Sequence, residues 1–330
     1  GGKLTGGLSV IEIKGTLENA GEITVERVVM NGTASQQLIT GSSENYIKGL
    51  KLMNTAGLTV QGVHRIEFLE LLDGLVNTTA GNTIELMEVI SASASSYING
   101  PARARVAYGE RLFPIGKNGV YRPVSLYANA SDNEGFAVIE AEVIPGAPPA
   151  YTKPSTIQNV SSVRYYKVSV VSNPQNYRDF MITLPYGTDD GVTDHNNLKI
   201  AKDDGAGGWI DLEGQASGEA PGTIQSNTFN TFSDFVLANL GPSSPMPVSV
   251  ISFSGMVQNN KVHLRWESEN EIAFDRYEIE RSSDGNDFIH AGRVQARGSI
   301  ARVHYQFNEE YLKNISVLYY RLKMVDHDGT

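Results

Sequence analysis

The chain has 330 residues, of which 40% are hydrophobic and 19% are charged, and its formal net charge is −10 at pH 7. This composition excludes a disordered chain, and the scattered lysines and arginines of an acidic protein argue against nucleic acid as a partner. The absence of cysteine excludes disulfides and thiolate metal sites. No apolar run approaches the ~20 residues that a transmembrane helix needs, so no membrane-spanning segment is expected.

Residues 1–95 contain an irregular internal repeat, in which each turn is followed by a short strand. The copies of this repeat are LENAGEITV from Leu17, MNTAGLTVQ from Met53 and VNTTAGNTIEL from Val76. Asn and Gly provide the sharp corners, and the apolar residues after each corner alternate. Stacked corners predict a short parallel β-solenoid stalk, with an antiparallel meander as the alternative. Because the sequence begins abruptly in a strand-like pattern, we expect the stalk to be truncated at its N-terminus.

Residues 96–126, which we call the joint, separate the short strands predicted before them from the longer strands predicted after them. They contain SYINGP from Ser96, FPIGK from Phe113 and YRP from Tyr121. These segments resemble the Ser-Tyr-Val-Asn-Gly-Pro, Phe-Pro-Val-Gly-Lys and Tyr-Arg-Pro segments of Bacteroidetes surface and secreted proteins that are exported by the type IX secretion system. In that family the segments lie downstream of a β-solenoid stalk, which agrees with the solenoid predicted here.

The strands predicted over residues 96–241 are longer and alternate more clearly. Tyr166 and Val168 share one face of a strand, as do Phe180 and Ile182 in the next, so each strand can bury one side. We therefore predict an antiparallel β-sandwich, with a hairpin turn at residues 203–205. The Pro- and Ser-rich residues 242–248 are predicted to be a linker.

Residues 249–330 carry six predicted strands with Trp266 on the second, a pattern typical of a fibronectin-III or immunoglobulin-like sandwich. The module resembles the domain that precedes the C-terminal sorting domain of many type IX cargo proteins. Its matching segments are Leu264 with Trp266, the ERSSDG run that ends at Gly285 and the YYRL run from Tyr319. In the family a further strand and the sorting domain follow, so the resemblance implies that both are missing here. The predicted fold class is all-β throughout.

The best metal candidate is an acidic stretch in the second domain. We predict calcium binding by Asp189, Asp190, Asp194 and Asn196, with an exposed turn as the alternative. Calcium prefers several carboxylate and amide oxygens that converge from one loop. No other cofactor is expected, because the six histidines are spread singly and zinc sites need paired ligands.

Two further groups of side chains are candidates for a catalytic or sugar-binding role. A run of acids at Glu267, Glu269 and Glu271 is predicted to be a solvated loop and not an acid/base pair, since glycosidase carboxylates face each other across a cleft. The possible sugar-stacking aromatics are Tyr151, Tyr177, Tyr186 and Trp209. Core packing is the favoured interpretation for Trp209 and Trp266.

We therefore expect a non-catalytic structural or adhesive protein at the outer cell surface or outside the cell. As the resemblance implies, it would be a fragment of a larger type IX cargo protein, and its partner would be the export machinery through the missing sorting domain. One alternative is a carbohydrate- or ligand-binding accessory module of a secreted enzyme, which implies glycans or other surface proteins as partners. Another is a subunit of a head-to-tail or strand-exchanged filament, which implies self-association.

Overall fold

The computed structural model describes residues 3–40, 45–129, 135–174, 179–190, 192, 194–239, 249–269, 271, 274–298, 302–310 and 317–326. Of the residues that the structure describes, 63% lie in strands or isolated β-bridges and 2% in helices, and a solenoid-like region makes about six turns. The all-β prediction is confirmed.

The strands range in length from two residues to eleven, and each of the last six has at least seven residues. The first eleven are β1 (Lys3–Leu4), β2 (Val10–Ile13), β3 (Leu17–Asn19), β4 (Glu22–Ile23), β5 (Arg27–Met30), β6 (Gln36–Thr40), β7 (Tyr46–Met53), β8 (Leu58–Gln61), β9 (Val63–Asp73), β10 (Val76–Asn77) and β11 (Thr83–Ser91). The next fifteen are β12 (Ile98–Asn99), β13 (Ala102–Val106), β14 (Gly109–Phe113), β15 (Ile115–Lys117), β16 (Val120–Tyr121), β17 (Val124–Ala128), β18 (Ala137–Pro145), β19 (Asn159–Val160), β20 (Arg164–Ser172), β21 (Phe180–Tyr186), β22 (Leu198–Asp203), β23 (Trp209–Asp211), β24 (Gln215–Ala216), β25 (Gly222–Gln225) and β26 (Asp234–Asn239). The last six are β27 (Ser249–Gln258), β28 (Lys261–Glu269), β29 (Phe274–Ser282), β30 (Ile289–Gln295), β31 (Val303–Glu310) and β32 (Tyr319–Asp326). Two short 3₁₀ helices, Thr188–Asp190 and His195–Asn197, lie between β21 and β22.

The solenoid has two parallel sheets that face each other across a dry interior. In one sheet, a buried column of in-register side chains joins five successive strands through Ile23, Ile47, Ile66, Leu86 and Ala104. In the other, the column runs through Leu58, Val76, Ile98 and Ile115. Each buried aliphatic side chain contributes about 1.5–3 kcal/mol relative to exposure. Parallel pairing confirms the solenoid and excludes the meander.

Asparagine side chains support the coils at and near the corners that the internal repeat predicts; Asn54 is buried, and Asn77 and Asn99 are half-buried. The Asn54 side chain donates to the carbonyl of Ala34 at 2.8 Å and accepts from the N–H of Ala56 at 3.0 Å. One coil further on, the Asn99 amide donates to the Asn77 side chain at 3.0 Å. The Asn54 amide therefore satisfies backbone groups that its corner takes out of the sheets and that would otherwise be buried without partners. The Asn77–Asn99 bond links two neighbouring coils through their side chains.

One sheet continues from the solenoid into the second predicted domain without a break. Parallel pairing between β11 and β13 is followed by antiparallel pairing of β13 with β18, and the sheet goes on through β20, β26, β22 and β23. An antiparallel sheet of β14, β17, β21, β25 and β24 forms the second sheet of this region. Most of the buried apolar side chains between Ile23 and Leu237 make one core, and Trp209 belongs to a smaller cluster beside it. Residues 1–95 and 96–241 are thus packed together around shared apolar layers.

The three segments of the joint are brought together in space. Ile98 lies in parallel register with Ile115, and Gly116 is paired with Tyr121 in the next turn of the chain. The rings of Tyr97 and Tyr121 pack with their centroids 5.6 Å apart. The SYINGP, FPIGK and YRP segments therefore close the last solenoid coil, which is an architectural role.

Gly116 is expected to be essential for this closure. A Cβ at this position would lie 2.4 Å from the carbonyl oxygen of Val120 and 2.6 Å from the ring of Tyr97. We expect Gly116→Ala to lower the free energy of unfolding by about 1–3 kcal/mol, the usual cost of overpacking. The measurement is urea unfolding followed by Trp209 fluorescence. The control is Gly15→Ala, where a Cβ meets open space; equal midpoints for the two variants would contradict the prediction.

The C-terminal module is a sandwich of two three-stranded sheets with its own core. One sheet has the order β27-β28-β31 and the other β30-β29-β32. Trp266 is 1% exposed and stacks on Tyr305, with ring centroids 5.4 Å apart. Six strands in two sheets around a buried Trp on the second strand form the predicted fibronectin-III or immunoglobulin-like sandwich.

Alternation in the last strand predicts that Tyr320, Leu322 and Met324 share its buried face, and the structure differs from this prediction in one respect. Tyr320 and Leu322 pack against the core as expected, but Met324 is 44% exposed and Val325 is buried instead. A bulge opposite, between Phe274 and Arg276, shifts the register there. The predicted linker at residues 242–248 lies outside the described residues.

Candidate functional site

The predicted calcium ligands Asp189 and Asp190 face arginines. Asp190 is completely buried and accepts hydrogen bonds from the Arg164 guanidinium and, at 2.7 Å, from the N–H of Gly187. Asp189 accepts from Arg164 at 2.8 Å and from Arg122 at 2.5 Å. These side chains form an ion-pair cluster that joins β20, the 3₁₀ helix Thr188–Asp190 and the YRP segment of the joint.

The charges in the cluster affect the ionisation of Asp189. Burial alone raises the pKa of this carboxyl, but the hydrogen bonds and positive charges of Arg164 and Arg122 outweigh burial, so the pKa lies below its ordinary value. Asp189 is therefore a carboxylate at neutral pH with two guanidinium partners. A calcium ion has to displace at least one of them to bind there.

Asp194 and Asn196 are occupied in a local cap. The Asp194 carboxylate accepts from the N–H of Asn196 at 3.0 Å and from the Asn197 side chain at 2.5 Å, as an N-cap of the 3₁₀ helix His195–Asn197. Within the described ranges no group of three or more His, Asp or Glu side chains is arranged to hold a metal ion. Calcium binding stays a prediction, and calorimetric titration with calcium tests it.

Glu267 and Glu269 lie within β28 and not in the predicted loop. Glu267 pairs with basic groups near the surface. It lies 3.2 Å from His304 and 3.7 Å from Arg302. The side chain of Glu269 lies outside the described part of the structure.

Glu271 is buried, so the expectation of a solvated loop is wrong for this residue. It is 1% exposed, and its carboxylate accepts from the hydroxyls of Ser268 at 2.5 Å, Tyr277 at 2.8 Å and Tyr305 at 2.7 Å. The N–H of Arg297 donates at 3.0 Å. Four donors around a buried carboxylate link three strands and a turn, and this arrangement holds the core together.

The candidate sugar-stacking aromatics do not form an exposed platform where they are described. Tyr186 is 1% exposed and donates its hydroxyl to the carbonyl of Gly218. Trp209 is 4% exposed and packs against Tyr151 with centroids 5.2 Å apart. Core packing is confirmed for Trp209 and Trp266, while Tyr177 lies outside the described residues.

Two grooves on the C-terminal module are the remaining candidate sites. The first, which we call the polar groove, has a volume of about 580 Å³ and is defined by Ser254, Arg265, Glu267, Arg297, His304 and Gln306. The second, the apolar groove, has a volume of about 400 Å³ and is defined by Phe253, Met256, Val257, Leu264, Leu318 and Tyr320. The apolar groove lies between β27 and the chain around the start of β32.

Fold and grooves define a class of protein: an all-β chain in which a parallel solenoid leads into a sandwich and a fibronectin-III or immunoglobulin-like module. No protein-family model matches the chain, and no curated protein matches its sequence. No helix in the described residues is long and apolar enough to cross a membrane.

Proposed function

We propose that the chain is a non-catalytic structural or adhesive part of a cell-surface or secreted protein. The observation that supports this most directly is the sheet that runs unbroken from the solenoid through β13, β18 and β20 into the sandwich over one core. Stacked coils bury apolar residues against their neighbours and make a continuous, stiff unit. Such a unit is suited to carrying a terminal module as a stalk does.

The outward face of this sheet supports a role in solvent. Arg27 and Lys51 both pair with Glu70, at 2.5 and 3.2 Å, and Arg103 pairs with Glu140 at 2.7 Å two strands beyond. Opposite charges that alternate across neighbouring strands stabilise a sheet modestly and keep its outer face hydrated. Ion pairs between its own strands therefore occupy part of the outward face of the stalk.

Export by the type IX system is part of the proposal, with the sorting domain in the parent protein as the contact to the export machinery. The joint segments and the run from Tyr319 support it by their resemblance to that family. The experiment is protease treatment of intact cells from the native source, with and without a functional type IX system. We expect surface-exposed protein only when the system is active; protein that stays in the cytoplasmic fraction of both strains contradicts the proposal.

Self-association is a second candidate function, favoured by the apolar groove. Met256 is 53% and Val257 59% exposed at this groove, and β32 pairs only with β29 among the described strands. An open strand edge beside exposed aliphatic side chains can accept a further strand. Light scattering over a wide concentration range tests this, because a mass that stays monomeric excludes it.

A further inference from the structure

The polar groove is a positively charged site on a protein with a net charge of −10. Arg265 lies on β28, Arg297 follows β30, and His304 lies on β31, so three separate strands bring basic side chains to it. Glu267 is the one acid among the described residues that line it. Local charge here opposes the charge of the whole chain.

Two guanidinium groups in the groove are available for a ligand. Glu267 already has neighbours of its own, since it lies 3.7 Å from the Arg302 guanidinium and 3.2 Å from the His304 ring. In the part of the chain that the structure describes, neither Arg265 nor Arg297 has a carboxylate partner. The Arg297 guanidinium lies over the ring of Tyr305, 5.2 Å from its centroid, and this cation–π contact orients it.

The other lining groups and the size of the groove indicate the kind of anion. Ser252, Ser254 and Gln306 add hydroxyl and amide groups that donate and accept hydrogen bonds. A volume of about 580 Å³ lies within the range of small-molecule sites. The aromatic residues at the groove, Trp266 and Tyr305, are only 1% and 5% exposed, so they offer no face on which a nucleic-acid base can stack.

We propose that the polar groove binds an acidic saccharide, a sugar chain that carries carboxylate or sulfate groups. Arg265 and Arg297 pair with the anionic groups, because the planar guanidinium fork matches the oxygens of such groups. Ser254 and Gln306 hydrogen-bond to sugar hydroxyls. This inference concerns the module alone and does not depend on where the protein is located.

The test is calorimetric titration of the full chain with three probes: an oligogalacturonide, a heparin-derived oligosaccharide and a neutral maltooligosaccharide of similar length. We expect saturable binding of at least one acidic probe, weaker binding at high salt, and no binding of the neutral probe. Stronger binding of the heparin-derived probe than of the oligogalacturonide indicates that sulfate groups contribute, because heparin carries sulfate in addition to carboxylate. Equal binding of the neutral probe, or no binding of either acidic probe, overturns the proposal.

A matched pair of double variants locates the binding. Arg265→Gln with Arg297→Gln is expected to weaken binding about tenfold or more. The control is Arg293→Gln with Lys323→Gln, which changes the net charge equally but lies on the other sheet, where both residues are exposed and flank Glu278. We expect the control to bind as the unchanged protein does. Equal losses in both, or tighter binding of single-stranded DNA than of either saccharide, overturns the proposal; Trp266 fluorescence verifies that each variant is folded.

Discussion

Replacing Glu271 with leucine is expected to destabilise the C-terminal module by about 3–5 kcal/mol, because removing a buried, hydrogen-bonded charge leaves its donors unpaired. The hydroxyls of Ser268, Tyr277 and Tyr305 and the N–H of Arg297 all lose the same acceptor. The substitution affects two sheets and a turn at once, so the loss is concentrated in this module.

The two tryptophans of the chain allow this to be measured selectively. Trp266 belongs to the core of the module, and Trp209 belongs to a cluster with Ala201 and Val236 in the preceding sandwich. In a Trp209→Phe background, urea unfolding followed by fluorescence reports on the module alone. Glu267→Leu is the control, since this half-buried ion pair is expected to contribute only about 1 kcal/mol or less. Equal losses for the two variants would refute the central role of Glu271.

The same carboxylate predicts how the module responds to acid. Burial raises the pKa of Glu271, but the hydrogen bonds from Ser268, Tyr305 and Tyr277 and from the N–H of Arg297 outweigh burial, so the pKa lies below the ordinary value of 4.5. A group with a lowered folded-state pKa contributes stability above its unfolded pKa and loses it as the pH falls through the folded value. The unchanged module is expected to lose stability below about pH 4.5 more steeply than the Glu271→Leu variant.

The second large effect is expected from Arg164. Arg164→Ala leaves the completely buried Asp190 without its guanidinium and is predicted to lower the free energy of unfolding by about 3–5 kcal/mol. Replacing both partners, as Arg164→Met with Asp190→Leu, should recover most of this loss, because an apolar pair of similar volume avoids the cost of an unpaired buried charge.

Trp209 fluorescence in a Trp266→Phe background measures this loss in the solenoid and sandwich. The matched control is Arg122→Met, which removes a partner only of Asp189, a carboxylate that is 44% exposed and keeps Arg164. We expect a decrease of about 1 kcal/mol or less for the control. A double variant as unstable as Arg164→Ala would show that the ion pair itself stabilises the fold, and not merely that Asp190 needs a partner.

Alternation of apolar residues predicted the fold well, although one argument for the solenoid was wrong. The run RIEFLELLDGLV from Arg65 has apolar residues on both faces, which favours a strand buried on both sides, yet in β9 Phe68 is half-buried and Leu72 is 42% exposed. Neighbouring coils contact this strand through backbone hydrogen bonds at its edges, so only one row of side chains needs to face the interior. Parallel pairing was predicted correctly for a reason that the structure does not support.

The partners of the acidic residues could not be predicted from the sequence, because they lie far away along the chain. Arg122 lies 67 residues before Asp189, and Tyr305 follows Glu271 by 34 residues. Residue type marked Asp189 and Glu271 as notable, but no local spacing showed that an arginine or a tyrosine would reach them. The pairing of strands across the fold brings these groups together.

The in-register columns of the solenoid restrict how its length can vary in evolution. Since successive side chains point to opposite faces, inserting one residue in β7 just before Leu50 would turn Leu50 and Leu52 towards water while Ile47 stays in place, and would break their contact with the coils on either side. A complete additional coil preserves every row of contacts. Natural relatives with taller or shorter stalks should therefore differ by whole coils, with insertions of other sizes confined to the corners.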